Sequence, residues 1–246
     1  DRFDVAKAIL DSLVAEEQSE KILRMGYRSL AGASLYMGRY REALDHMERA
    51  MALASYTPNR ADSISSVFQH QQRGLICLWG WSDVDRADSE FNQAADIMER
   101  IGRGAFKPEL MREYYANLSI YFLMNGRTDR ADRIADTELA GNDEQYDRLR
   151  FFAHFKNGEY EEAQAIADTI LTKVDEGQKT MIRYYLAQGQ LAHGQHDEAI
   201  ATLKELQTDG HYGGPRPIFY APSYFLLGQV YERKGDMRLA IENYRT

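Results

Sequence analysis

Four side chains able to hold a metal crowd one turn: His193, His196, Asp197 and Glu198, on either side of Gly194. Imidazole and carboxylate are the ligands a zinc ion takes, but a zinc site needs them turned inward and held from behind by further hydrogen bonds. Residues that bracket a turn glycine point into solvent, so this cluster reads as an exposed turn and no metal is expected. Carboxylate pairs recur, as at Glu16-Glu17 and Glu161-Glu162. Acid–base chemistry uses such groups, yet on a helix they form a solvated face with local charge pairing. His46, His70, His154 and His211 are scattered, with no partner at catalytic spacing. The single Cys77 excludes an internal disulfide and a thiolate metal site; within the apolar run GLICLW it reads as a small buried core residue. No glycine loop of a phosphate-binding kind is present, and GRG at 102–104 is a helix-ending turn. No nucleophile stands beside a base. The expectation is a protein that is not an enzyme and needs no cofactor.

The elements that would carry any site are helices. Proline is scarce, at 5, and Ala, Leu, Glu, Arg and Gln are frequent, which favours helix throughout. With 44% hydrophobic and 28% charged residues the chain has enough apolar surface to fold, so disorder is not expected. A net charge of −8 argues against a general nucleic-acid or anionic-membrane binder, because phosphate contacts need a basic surface. No window approaches the roughly 18 apolar residues of a spanning helix. No membrane insertion is expected, and the expected compartment is the cytoplasm. The chain begins at Asp1 and stops at Thr246 inside a helical pattern, which reads as a piece of a larger multidomain protein.

A phrase of the form Gly-x-x-x-x-Ala organises these helices. It reads GRYREA at 38–43, GRTDRA at 126–131, GEYEEA at 158–163, GQHDEA at 194–199 and GDMRLA at 235–240. A weaker copy, SDVDRA at 82–87, has lost its glycine. In the last unit, Tyr224, Leu227, Gly228 and Tyr231 lie on one helical face. Gly235 then ends that helix, because glycine reaches left-handed dihedrals without strain. Asp236 is positioned to cap the next helix, whose face is set by Ala240 and Tyr244. Each unit is a helical hairpin. Small residues at the Gly and Ala positions let helices approach where larger side chains would overpack.

An aromatic, Leu-Gly, Tyr, a turn glycine, a small Ala and an aromatic four residues on closely resemble the tetratricopeptide repeat. The resemblance covers nearly the whole chain and implies an all-α fold: a right-handed α-solenoid of antiparallel hairpins. Residues 1–21 match the second helix of a preceding unit. Six units follow, at 22–55, 63–101, 109–140, 144–175, 178–208 and 221–246, the last truncated. Two depart from the pattern. The second has Gly74-Leu75 in place of the usual order and Ser82 for the turn glycine; the fourth has Phe151 where a small residue is expected. The glycine- and proline-rich segment 208–222 holds Tyr212, Phe219 and Tyr220 and reads either as a kink in the array or as a ligand-gripping loop.

The resemblance also implies a concave groove lined by first-helix residues that do not serve the hairpin contact. Carried onto this chain these include Arg28 and Tyr36, Gln72 and Trp79, Asn117, then Arg148, Phe152 and Phe155, then Tyr184 and Gln188, and finally Phe225 and Arg233. Aromatics with a few Arg and Gln are the side chains that dominate peptide recognition. Trp79, Phe152 and Phe155 fit equally well as core residues of imperfectly registered hairpins. The Lys/Asn-rich set with which chaperone-binding members grip a terminal carboxylate is missing: Arg28, Gly32, Arg73, Glu113 and Asn117 stand at those places. The expected function is a non-catalytic scaffold that binds a peptide or helix. The alternative is a ligand-sensing domain attached to a signalling effector such as a kinase, cyclase or transcription regulator. Uncapped ends leave self-association open as a third reading.

Overall fold

The computed structural model describes residues 2–16, 19–53, 60–81, 83–102, 106–174, 176–209 and 217–245, with side chains throughout except at 2–3, 60–63, 79–81, 176–177, 209 and 217. Among the described residues the chain is all-α, as its composition and periodicity predict, with no strand. The helices are α1 (Arg2–Glu16), α2 (Glu20–Tyr36), α3 (Tyr40–Ala52), α4 (Arg60–Trp81), α5 (Val84–Ile101), α6 (Pro108–Met124) and α7 (Thr128–Glu138). They continue as α8 (Asp143–Asn157), α9 (Tyr160–Ile170), α10 (Glu176–Ala192), α11 (His196–Asp209), α12 (Tyr220–Lys234) and α13 (Met237–Tyr244). A 3-10 turn, Pro217–Phe219, precedes α12. None of the described helices is long and apolar enough to cross a membrane.

The repeated phrase is the hairpin turn. Gly38, Gly126, Gly158, Gly194 and Gly235 all take positive φ, between 68° and 82°, a region that costs a side-chain-bearing residue strain. The amide after each glycine donates to the carbonyl five residues back: Arg39 to Ser34, Arg127 to Phe122, Glu159 to His154, Gln195 to Gln190 and Asp236 to Tyr231, all at 2.8–2.9 Å. Asp236 then accepts from the Leu239 amide at 3.0 Å, the cap its sequence position predicts.

The helices gather into two compact units, Asp1–Met111 and Arg112–Thr246, which divide inside α6. In the first, α1 packs on α2, α2 on α3, α3 on α4 and α4 on α5. Its core holds Leu30, Ala43, Leu44, Cys77, Ala87, Phe91 and Ala94, and Cys77 is fully buried as its apolar run predicts. The odd order at Gly74-Leu75 has a local cause. The amide of Asp83 donates to Cys77, six residues back rather than five, so the end of α4 holds one extra residue. Gly74, eight residues before Ser82, therefore takes the place that Gly228 holds seven residues before Gly235. Its Cα faces the Phe91 ring, and a Cβ there would lie 2.9 Å from that ring. Ser82 itself lies outside the described residues.

In the second unit α8 packs on α9, α10 on α9 and α11, and α12 on α11 and α13. Ala187, Leu191, Ala199, Leu203, Leu226, Leu227, Val230, Tyr231 and Ala240 form one buried cluster through the last two hairpins. Phe151 stands seven residues before Gly158, where Gly228 stands before Gly235, and it is fully buried. Across the last hairpin Gly228 faces the Tyr244 ring, and at the position equivalent to Tyr244, four residues beyond the signature alanine, α9 has the small, fully buried Ala167. The large residue has moved from the second helix to the first. Of the aromatic segment before α12, Phe219 and Tyr220 are buried, with the Phe219 ring 5.1 Å from that of Tyr184 on α10. Tyr212 lies outside the described residues.

Candidate functional site

In the second unit a chain of polar side chains joins three successive first helices. Arg148 on α8 is fully buried and donates to Glu113 on α6 at 2.9 Å, to Gln145 at 2.5 Å and to Asn117 on α6 at 3.3 Å. Asn117 donates to the other oxygen of Glu113 at 3.0 Å. From α10, Gln178 donates to Glu113 at 2.6 Å. A buried guanidinium persists only where its charge is met, and the Glu113 carboxylate, still partly open to solvent, meets it here. The ladder holds the first helices α6, α8 and α10 side by side. Arg148 Nε, buried and without an acceptor, is its one unsatisfied donor on that side chain.

Asn117 and Arg148 are thus brought together, but inside the face rather than on it. Phe152 is fully buried, edge-on to Phe151 and Tyr185, and is a core residue. Phe155 is half-buried against Tyr160 and Tyr185 at 5.5 and 5.1 Å. Tyr184 and Gln188 share a hydrogen bond; burial raises the Tyr184 phenol and that bond partly offsets it. On α12, Phe225 is 59% exposed, with its ring 5.4 Å from that of Tyr244. Arg233 is exposed and reaches back to the Leu191 carbonyl at 3.4 Å.

In the first unit Arg28 on α2 donates to Ser65 on α4 at 2.5 Å, so these first helices also lie side by side. Tyr36 is half-buried, its phenol raised by that burial, and Gln72 is exposed. The side chain of Trp79 lies outside the described residues.

The metal-capable turn disperses. Asp197 accepts from Lys234 Nζ, a hydrogen bond that lowers the carboxyl pKa and raises that of the lysine. His193 sits edge-on to Tyr160 at 4.8 Å instead. Among the described residues no three His, Cys, Asp or Glu side chains are placed to hold a metal.

Two features escape a reading of the sequence alone. One is the ladder, whose signal is positional: Glu113 and Gln145 each stand thirteen residues before their turn glycines, Gly126 and Gly158. The other is a charge cluster in the first unit, buried at His70 and Glu90 and exposed at Glu48 and Arg86. His70 and Glu90 are hydrogen-bonded at 2.8 Å, Arg73 meets the second Glu90 oxygen at 2.8 Å, and Glu48 joins Arg73 and Arg86 at 3.0 and 2.9 Å. No spacing rule within one helix would find it, because its members come from α3, α4 and α5.

A family model described as tetratricopeptide repeat matches residues 221–246, the hairpin of α12 and α13. No curated protein matches the chain.

Proposed function

Because the chain is a repeat protein of the tetratricopeptide type, we propose that it is a non-catalytic scaffold binding a peptide or helix of a partner protein along its first helices. Repeats of this type mediate protein–protein interaction and are typically non-catalytic. The observation that carries the reading is the ladder of Glu113, Arg148 and Gln178, which ties three first helices into one face. A face made rigid before binding loses little conformational entropy when a partner docks. In the second unit the contacting residues in this reading are Tyr184, Gln188, Phe225 and Arg233, with Phe155 at the edge. In the first unit they are Arg28, Tyr36, Gln72 and Trp79. Asn117 and Arg148 hold the face together, and Phe152 supports it from the core.

The test is selection of peptides from a random display library on the wild-type chain, followed by affinity measurement on Phe225→Ser/Gln188→Ala. Loss of about tenfold or more, with helicity unchanged, is expected for residues at the centre of an interface. Selected peptides that bind the variant as tightly as wild type would overturn the reading.

A further inference from the structure

Between α8, α9 and α10 lies a half-open cavity of about 160 Å³, near the turn ends of these helices. Phe151, Phe155, Tyr160 and His193 form its aromatic walls; Gln164, Gln190 and Gln195 bring amides, and Glu161 stands at its rim. Tyr160 is edge-on to both Phe155 and His193, at 5.5 and 4.8 Å. Two of these amides are already hydrogen-bonded: Gln190 donates to Gln164 at 3.1 Å and accepts from Thr202 at 2.9 Å, while Gln164 donates to Asp168 at 2.8 Å. The floor is therefore polar and already hydrogen-bonded.

The next junction of the array shows what these positions do when they are filled. Aligned on the turn glycines, Gln164 and Gln190 correspond to Ile200 and Tyr231, both packed in the apolar cluster of the last hairpins. Glu161 corresponds to Asp197, and His193 to Lys234. At that junction Tyr231 occupies the space, and Lys234 places its ammonium on Asp197. At the α9/α10 junction a glutamine replaces the tyrosine and a histidine replaces the lysine. Space opens, and Glu161 has no basic partner among the described residues.

We propose that this cavity is a binding subsite for a basic side chain, arginine or lysine, of a partner polypeptide. The ligand's cation would take on Glu161 the place that the chain's own Lys234 takes on Asp197. Its aliphatic stem would lie against Phe155 and Tyr160, as long cationic side chains do on apolar surface, and the ring faces favour a cation further. A net charge of −8 draws such a ligand in. The subsite is built from the turn ends of α8–α10 and shares only Phe155 with the proposed first-helix face, and neither variant used to test it changes that residue.

The probe is N-acetyl-arginine amide, with N-acetyl-norleucine amide as its uncharged counterpart, each titrated into isotopically labelled protein and followed by amide NMR shifts. Saturable shifts centred on Tyr160, Gly189 and Gln190 are expected with the arginine derivative, and binding of norleucine at least roughly fivefold weaker. Gln190→Tyr, which copies Tyr231, should abolish the shifts. His193→Lys, which copies Lys234 at an exposed position and leaves the packed floor untouched, should weaken binding by about fivefold or more through internal competition. Equal binding of norleucine would overturn the proposal. So would arginine binding that survives both variants, or the absence of saturable shifts in the wild type.

Discussion

His70 on α4 and Glu90 on α5 share a hydrogen bond of 2.8 Å with both side chains almost wholly buried. Arg73 completes the pairing on the second carboxylate oxygen. Removing one partner from a buried ion pair is far costlier than the pair's net contribution, because the remaining charge stays desolvated. Glu90→Ala should therefore lower unfolding stability by about 3 kcal/mol or more. Glu48→Ala, at an exposed edge of the same cluster, should cost less than about 1 kcal/mol. Urea unfolding of the two variants checks the contrast, and equal losses would contradict it.

The exchange of size between Phe151 and Ala167 predicts a compensating pair. Phe151→Ala alone should destabilise by about 3–5 kcal/mol through the cavity it leaves. Ala167→Phe alone should be destabilising through overpacking. Together they restore the arrangement of the last hairpin, small on the first helix and aromatic on the second. A double-mutant cycle by chemical denaturation should show coupling of about 1 kcal/mol or more; additivity would mean that the two positions do not face each other.

Gly74 and Gly32 make opposite predictions from one substitution. A Cβ at Gly74 meets the Phe91 ring, whereas a Cβ at Gly32 meets nothing within 4 Å. In a helix Ala is favoured over Gly by up to about 1 kcal/mol. Gly32→Ala should thus raise the melting temperature. Gly74→Ala should lower it, since overpacking costs about 1–3 kcal/mol, and Phe91→Leu should recover part of the loss. A stabilising Gly74→Ala would contradict the one-residue insertion at the end of α4.

Cys77 is fully buried, and burial pushes its thiol pKa up. Less thiolate forms at any given pH, and the thiolate is the reactive species. A disulfide reagent at pH 8 should leave the native protein unmodified over a period in which urea-unfolded protein reacts fully. Rapid native labelling would mean that α4 opens locally.

The hairpins were legible because their cues are local: a glycine at the turn, a capping Asp, and a small residue a fixed distance before it. Gly235 and Asp236 behave as their types predict. Individual faces were harder to read, because a first helix in a stacked array touches its own hairpin partner and both neighbouring units. The repeat pattern places Phe152 and Phe225 in the same groove, yet one is fully buried and the other largely exposed. Phe152 is covered by Tyr185 of the next first helix, whereas the ring beside Phe225, that of Tyr244, belongs to its own hairpin. The departure at Gly74 has a different origin. A single extra residue near a turn shifts a helical face by about 100°, and with Ser82 in place of the turn glycine no sequence marker shows where that residue is inserted.

The ladder has a consequence for how the chain acquires its structure. Contacts within a hairpin join residues close in sequence and form early, since short loops cost little entropy to close. Glu113 and Gln178 are 65 residues apart, and their bond can close only once α6, α8 and α10 already stand together. By contact order this polar latch is expected to close later than the contacts within each hairpin. A chain released before the latch closes would have its helices and hairpins but not yet a surface on which a partner could dock.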